Sequence, residues 1–387
     1  MHVINPWCRI HLCLLSLSAF FAFASTALQA TAADVSRSNN QVSGPEIGRT
    51  EAKAEAGSLK DELKMATNYY VGVGVPRDLA QSAHWFRKAA ERGDPESQLR
   101  IGYLYLFGVG VSRDISVAAK WLSLAASSGS TPAKLDVGLL YLNGIGFHQN
   151  VALGRQLIEQ VAQKGNPRAM AYLGDMYYFG VGVPMNRTTA ESWLLKAAKQ
   201  NDAKAEYSLG ALYSKVPDNR HDFPKAANYL RQAVEQGHME AAHDLGLLLL
   251  HHPELGRTRD EPVALFQTAA QSGLWRSSVM LGILERDGLL LPKDPRAAYC
   301  WFRIASAQGG AEAERLVNPD LKFLTTVLGK TDQSTAEDES SAWLELHRDI
   351  DVLNLKRQAG EIPLLHSDTN GLTLHAGMPG PDTEVVN

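Results

Sequence analysis

Cysteine is scarce in this chain, and its scarcity excludes several kinds of site. Of the three cysteines in 387 residues, Cys8 and Cys13 lie in an apolar N-terminal segment, and only Cys300 lies beyond it. One remaining cysteine cannot form an intramolecular disulfide, and there is no cysteine spacing typical of a zinc site. The formal net charge of −4 offers no basic field to nucleic acid. The chain also lacks a Walker loop and, beyond its N-terminal segment, any apolar run long enough to span a bilayer.

The N-terminal segment has the organisation of a secretory signal. A single basic residue, Arg9, precedes an apolar run over residues 10–24, and residues 30–32 form a small-x-small cleavage pattern. The run covers about 15 residues, whereas a bilayer span needs about 20. We therefore expect residues 1–32 to be a signal peptide that exports the chain to the periplasm or beyond. An uncleaved membrane anchor is the alternative.

Glycine, in contrast, is plentiful and recurs at a fixed step of 36 residues. The loop GVGVP at residues 180–184 could cradle a phosphate, but a Gly-x-Gly loop returns in the same register four times. A phosphate loop occurs once per site, so four copies indicate architecture. The first glycines of these loops are Gly72, Gly108, Gly144 and Gly180. A second series at the same step is Gly102, Gly138, Gly174, Gly210, Gly246 and Gly282.

Each 36-residue copy is predicted to be a pair of helices. In the second copy, the apolar spacing predicts a first helix over residues 95–106 and a second helix over residues 114–127. The second glycine series falls inside the first helices, where glycine costs about 1 kcal/mol relative to alanine. We therefore expect a helix contact there that leaves no room for a Cβ. The loop glycines should cap the first helices in the left-handed conformation.

Two further series mark the ends of the second helices. One should end each helix with a left-handed residue, and the other should begin it with a side chain that accepts hydrogen bonds from the open amide groups. In the sixth copy Pro262 would fall in the first turn, so that helix is expected to begin near Asp260. The end series is Gly93, Gly129, Gly165, Asn201, Gly237, Gly273 and Gly309. The start series is Asp78, Asp114, Asn150, Asn186, Asp222, Thr258 and Asp294.

The repeat pattern resembles a known family. Residues 169–201, AMAYLGDMYYFGVGVPMNRTTAESWLLKAAKQN, carry a small residue, Leu-Gly, Tyr, Gly-x-Gly-Val, Trp and Ala-Ala in the order typical of the Sel-one-like repeat family, and residues 97–129 match nearly as well. This family is a branch of the tetratricopeptide-type helical repeats. The resemblance covers about residues 59–317, as seven repeats and a closing half-repeat. It implies an all-α fold, a right-handed α/α superhelical solenoid whose first helices line a concave face.

The same resemblance implies a binding protein that performs no catalysis and needs no cofactor. Exported bacterial members of the family often serve envelope assembly, exopolysaccharide secretion, signalling or host contact. We therefore expect a scaffold or adaptor in the cell envelope that holds a protein partner on its concave face. The alternative within this class is a periplasmic regulator of a sensor kinase or an exopolysaccharide assembly factor.

The segments that flank the repeats are expected to differ from them. Residues 33–58 are polar and small, which predicts a flexible lead that is helical at most near residues 51–56. Residues 318–358 should cap the array, and residues 359–387, rich in glycine, proline and polar residues, are predicted to be disordered. The cap should contain a helix near residues 338–357 that covers the last repeat. The side chains expected to provide this cover are Trp343, Leu346, Ile350 and Leu353.

A partner surface is expected on residues of the first helices that point away from the repeat core. Exposed aromatic rings there would suit an extended peptide or a helix, because they contribute contact area at low entropic cost. The alternative is that Phe107 and Phe179 pack on the adjacent loop as core residues. The candidate residues are Tyr103, Phe107, Asp175, Phe179, Tyr207, His243 and His251.

Neither a metal site nor a catalytic site is expected. His243 and His251 lie on roughly one helical face, but His238 and His252 do not, so a third metal ligand is missing. There is no nucleophile elbow, and Cys300 should lie on a core face. A β-lactam-binding or hydrolytic enzyme is the weakest alternative, because the chain lacks the cysteine pairs of the exported relatives associated with β-lactam binding.

Overall fold

The computed structural model describes residues 44–214 and 221–358, and this part of the chain is all helical. It contains sixteen α-helices and one short 3-10 turn, Pro253–Leu255, and no strand. The all-α prediction is therefore confirmed. The first eight helices are α1 (Gly44–Glu55), α2 (Leu59–Val71), α3 (Leu79–Glu91), α4 (Pro95–Phe107), α5 (Ile115–Ser127), α6 (Thr131–Asn143), α7 (Val151–Gln163) and α8 (Pro167–Phe179). The others are α9 (Arg187–Ala198), α10 (Ala203–Ser214), α11 (Phe223–Glu235), α12 (Met239–His251), α13 (Glu261–Gln271), α14 (Trp275–Asp287), α15 (Pro295–Val327) and α16 (Lys330–Gln358).

The described chain forms two compact units, and the division between them falls within α6. The first unit comprises residues 44–134 and 145–147, and the second comprises residues 135–144, 148–214 and 221–358. In the first unit, α1 to α5 pack one on the next in chain order. In the second unit, α7 to α16 do the same, and the first helices α8, α10 and α12 also lie side by side. Packing of each helix pair on its neighbours alone is the organisation of the predicted solenoid.

The glycines inside the first helices mark close helix contacts, as predicted. A Cβ on Gly102 would lie 2.9 Å from the side chain of Leu122, on the second helix of the same repeat. At Gly174 the corresponding distance, to Cγ of Leu194, is 2.7 Å. Both distances are shorter than a normal carbon–carbon contact, so a side chain at either glycine would force the helices apart.

The Gly-x-Gly loops are turns whose glycines have two different roles. Gly180 ends α8 in the left-handed conformation, with φ 72°, and its amide group donates to the carbonyl of Met176. A Cβ on Gly182 would lie 2.6 Å from Val151, so the loop rests on the second helix of the preceding repeat. The seventh copy contains a loop of the same kind that the sequence did not reveal. There Gly288 takes the first position, and Leu290 adopts a positive φ of 60° at the second.

Capping of the second helices follows the prediction in six of the seven copies. In each of the six, the side chain accepts a backbone amide hydrogen bond. The prediction was wrong for Thr258, because the 3-10 turn and Pro262 delay the start of α13 to Glu261. Asp260 precedes α13, as expected, but its side chain makes no capping bond. The six capping residues are Asp78, Asp114, Asn150, Asn186, Asp222 and Asp294.

The last member of the series that ends the second helices was also misplaced. Gly309 is helical, and the positive φ of 57° belongs to Gly310. The helix continues through Gly309 because that residue packs closely on Trp275. A Cβ added to Gly309 would lie 2.6 Å from the indole ring. The break at Gly310 divides α15 into the second helix of the seventh repeat and a further helix over residues 311–327.

The N-terminal lead is more ordered than predicted. Helix α1, Gly44–Glu55, occupies part of the segment 33–58 that was expected to be flexible. Ile47 and Ala54 are buried and pack with Met65 and Trp85 in the core of the first unit. The polar composition was misleading because one narrow apolar stripe is enough to dock a short helix.

The C-terminal segment packs on the last repeat, as predicted, but it does so as a pair of helices. Residues 311–327 run as a helix through Pro319, where the sequence had predicted that the repeat stops. Pro319 is exposed, so the carbonyl that loses its hydrogen bond can be hydrated. Helix α16 begins at Lys330, earlier than predicted. Of the side chains expected to cover the last repeat, Trp343 does so, because its ring centroid lies 5.7 Å from that of Trp301. Leu346 does not, because it is 71% exposed. The side chains of residues 350 and 353 lie outside the described part.

The predicted signal peptide at residues 1–32 and the predicted tail at residues 359–387 also lie outside the described residues. Within residues 44–214 and 221–358, no helix combines the length and the apolar character that crossing a membrane requires.

Candidate functional site

In the second unit, the first helices of neighbouring repeats are joined by polar and aromatic side chains. We call this surface the first-helix face and define it by Tyr172, Asp175, Lys204, Tyr207 and Asp244, which lie on α8, α10 and α12. Two of the five, Asp175 and Tyr207, are among the predicted candidates. The contacts of this face cross from one repeat to the next, so they depend on how the repeats stack.

An ion pair connects α8 to α10. The ammonium group of Lys204 lies 2.7 Å from Oδ2 of Asp175, with the two side chains only 23% and 18% exposed. The same ammonium group lies 5.0 Å from the centre of the Tyr172 ring, a cation–π distance. Burial acts to lower the pKa of Lys204, but the Asp175 carboxylate outweighs it, and the pKa is raised. Lys204 is therefore a fixed positive charge beside an aromatic ring.

A tyrosine connects α10 to α12. The hydroxyl group of Tyr207 donates to Oδ2 of Asp244 over 3.4 Å, and its ring stacks on His238, with centroids 4.5 Å apart. Burial, followed by the charges of Asp244 and Glu240, raises the pKa of Tyr207 above its usual value. Tyr207 is therefore neutral in the physiological pH range and acts as a hydrogen-bond donor on a largely apolar ring.

The predicted histidines do not come together. His243 lies within 2.9 Å of the Ser277 hydroxyl group on α14 and meets the edge of Phe266. His251 is exposed at the end of α12. His238 caps the start of α12 by accepting the amide hydrogen of Ala241. In the described ranges, no group of three or more His, Cys, Asp or Glu side chains is placed to hold a metal ion.

The remaining predicted residues are half-buried aromatic rings near the ends of first helices. In the first unit, Tyr103 and Phe107 are one turn apart on α4, with ring centroids 6.4 Å apart. In the second unit, Phe179 packs edge-on against Tyr178 at 4.8 Å. Each ring is partly exposed, but its role in binding stays a prediction.

Sequence reasoning missed three of the five residues that define the face. Tyr172, Lys204 and Asp244 lie on the same first helices as the candidates but were not selected, because their neighbours belong to other repeats. Helical periodicity describes one helix at a time. The signal that could have found Asp244 is its distance of 37 residues from Tyr207, one more than the repeat length.

The arrangement is suited to binding. It offers a half-buried ion pair, a neutral hydroxyl group and several aromatic rings, all held by contacts between helices. Cys300, the one described cysteine, lies away from this face, and burial raises the pKa of its thiol to about 12, which keeps it protonated and unreactive.

Comparison with protein families agrees with the repeat pattern. The model of the Sel1 repeat matches residues 62–94, 95–130, 131–166, 167–202, 203–238 and 276–310, which is more than half of the chain. Between the first and last matched repeats, the model leaves out only residues 239–275. This stretch is the sixth repeat, where the 3-10 turn replaces the Gly-x-Gly loop. No curated protein matches the sequence.

Solved structures with the same fold include a Sel1 repeat protein from Oxalobacter formigenes. It is 26% identical over 73% of this chain and 84% of its own length, with a TM-score of 0.54. Two others have lower TM-scores. A protective antigen of uropathogenic Escherichia coli displaying an SLR fold is 24% identical over 85% of this chain and 76% of its own length, with a TM-score of 0.44. An immunity protein from Pseudomonas aeruginosa is 21% identical over 65% of this chain and 86% of its own length, with a TM-score of 0.36. Given the family match over most repeats and this shared fold, the chain belongs to the Sel1 repeat family.

Proposed function

We propose that this protein is a non-catalytic scaffold of the cell envelope that binds a partner protein through the first-helix face of its second unit. Sel1 repeat proteins generally act as protein-interaction scaffolds, and that general role supports the proposal. The observation that carries it is the set of contacts from Asp175 through Lys204 and Tyr207 to Asp244. These contacts hold aromatic rings and charges in fixed positions before any partner arrives, which lowers the entropic cost of binding.

The chemistry of the face indicates what a partner would supply. The ring of Tyr207 and the half-buried ring of Tyr178 favour apolar or aromatic side chains, since aromatic residues are enriched where binding energy concentrates. Lys204 and Asp175 form an ion pair and so neutralise one another. We therefore expect an amphipathic helix or extended segment that has one apolar stripe.

Site-specific photo-crosslinking tests this proposal. A photoreactive residue replaces Phe179, at the edge of the face, or Ser192, an exposed residue on the second helix α9. We expect one defined protein to be crosslinked from envelope extracts at Phe179 and not at Ser192, and Tyr207→Ala to abolish that product. Equal crosslinking at both positions, or a product that Tyr207→Ala leaves unchanged, would contradict the proposed surface.

The envelope location rests on the N-terminal segment alone. An apolar run of about 15 residues followed by small residues fits a cleaved signal better than a membrane span. Cell fractionation combined with sequencing of the mature N-terminus tests this part separately. A mature chain that begins near residue 33 is expected; a full-length chain in the cytoplasm would refute export without affecting the proposed binding surface.

A further inference from the structure

The edges of the repeats contain side-chain pairs separated by 30 residues. They join the first turn of a first helix to the end of the second helix that follows it. In the first copy, the guanidinium group of Arg92 donates to Oε1 of Glu62 over 3.1 Å, and the Glu62 side chain is 1% exposed. In the second copy, Ser128 donates to Gln98 over 3.1 Å. In these two copies a buried acceptor on the first helix is paired with a donor at the end of the second helix.

The fifth copy places a buried carboxylate at this position without a cation. Glu206 is 3% exposed, and its Oε2 accepts a hydrogen bond from the side-chain amide of Gln236 at 2.5 Å. Within the described ranges, no other side chain donates to Glu206, and none forms an ion pair with it. The pKa of Glu206 is raised to about 7. Burial is the main cause, and the charges of Asp202 and Glu235 add to it, whereas the hydrogen bond from Gln236 acts in the opposite direction. In the first copy, the equivalent carboxylate has a guanidinium partner instead.

An open depression of about 510 Å³ lies beside this carboxylate. Its lining includes two carboxylates and one ammonium group, and the other polar side chains are neutral amides. The depression shares no residue with the first-helix face, so it is a separate site. Its polar lining consists of Lys199, Asn201, Glu206, Gln232, Glu235 and Gln236.

We propose that this depression, which we call the fifth-repeat acceptor, binds a guanidinium group supplied from outside the chain. The group would pair with Glu206 beside the amide of Gln236, the residue that replaces Arg92 in this copy. A guanidinium group carries only donors, and the acceptor offers a buried carboxylate, a second carboxylate at Glu235 and amide oxygens from Gln232 and Asn201. Its planar, forked geometry matches a carboxylate better than an ammonium group does, and it is more weakly hydrated. The ligand is therefore an arginine side chain of a protein or a small guanidine compound.

Titration of the full chain with agmatine, followed by NMR of the Gln236 side-chain amide, tests the proposal. We expect saturable binding that is at least about tenfold weaker in Glu206→Gln, which keeps the size and the contact to Gln236, because a charge-assisted hydrogen bond is lost. Glu62→Gln, the equivalent change in the first repeat, is the matched control and should leave binding unchanged. Equal binding of agmatine by Glu206→Gln and the unaltered chain would overturn the proposal.

A second variant tests the same geometry without added ligand. Gln236→Arg recreates the pair of the first repeat, so its own guanidinium should occupy the acceptor, abolish agmatine binding and lower the pKa of Glu206. Unchanged agmatine binding in Gln236→Arg would refute the assigned position. An arginine-containing peptide that binds more than tenfold tighter than agmatine identifies a protein segment as the source, and equal affinities identify a small guanidine compound. Because no residue is shared with the first-helix face, failure here leaves the proposed scaffold function untouched, and the reverse also holds.

Discussion

Replacing Gly174 by alanine tests whether close helix packing explains the repeated glycines. In an exposed helix this change stabilises by about 1 kcal/mol, because alanine has the higher helix propensity. In this structure the new Cβ would lie 2.7 Å from Cγ and 2.8 Å from Cδ2 of Leu194, and 3.2 Å from the carbonyl oxygen of Ala190. Overpacking of this kind costs about 1–3 kcal/mol. The net expectation is a destabilisation of about 1 kcal/mol, measured by urea unfolding followed by circular dichroism.

A double-mutant cycle separates the two contributions. Leu194→Ala removes the atoms that the new Cβ would approach, so in that background Gly174→Ala should stabilise by about 1 kcal/mol, which gives a coupling energy of about 2 kcal/mol. Gly48, on α1, is the matched control, because a Cβ there meets nothing within 4 Å. Gly48→Ala should therefore stabilise the chain. If Gly174→Ala stabilises as much as Gly48→Ala, the explanation by close approach is wrong.

Three further predictions concern two helix caps and the half-buried acid Glu285. Gly180→Ala should lower the free energy of unfolding by about 1 kcal/mol in thermal unfolding, because an alanine is strained at a φ of 72°. Steric contact is not the cause, since the nearest atoms lie 3.5 Å from the new Cβ. A neutral result would argue against the left-handed cap. Asp114→Ala should cost about 1 kcal/mol through loss of its hydrogen bond to the amide of Val117, whereas Thr258→Ala, which removes no cap, should be close to neutral in the same assay. Burial, followed by the charge of Asp294, raises the pKa of Glu285 from 4.5 to about 8. The folded state therefore keeps this proton to a higher pH than the unfolded state does. The free energy of unfolding should fall as the pH rises from about 4.5 to about 8. Glu285→Gln should flatten this part of the pH profile of Tm, and an unchanged profile would contradict the assignment.

The repeat architecture was predictable because its determinants are local and recur. Each glycine or capping residue acts within one repeat, and several copies of each confirm one another. The errors occur where a single copy departs from the pattern. Pro262 and the 3-10 turn shift the cap away from Thr258, and the contact of Gly309 with Trp275 moves the helix break to Gly310. Pro319 lies just after the predicted end of the repeats at residue 317, yet it is exposed, and an exposed proline can be accommodated within a helix.

The candidate site was only partly predictable, for a reason that lies in its contacts. Asp175 and Tyr207 were found because helical spacing shows which side chains leave the core of a helix. Their partners could not be found in this way, since Lys204 and Asp244 belong to the next first helix along the array. Identifying them requires knowing how the repeats stack. The sequence pattern implies this stacking, but it does not say which side chains of neighbouring repeats come into contact.

The contact between Tyr207 and Asp244 also differs in kind from the contacts that build the fold. One repeat earlier, Ala171 and Ser208 occupy the equivalent positions and cannot form a hydroxyl-to-carboxylate bond of this length. A residue needed by every repeat should recur at the repeat step, as the close-contact glycines do in six copies. The polar contacts of the first-helix face do not recur, so the stacking of repeats does not require them. Because the fold does not require these side chains, their identity can be selected for binding a partner, and we therefore propose the binding site at this face.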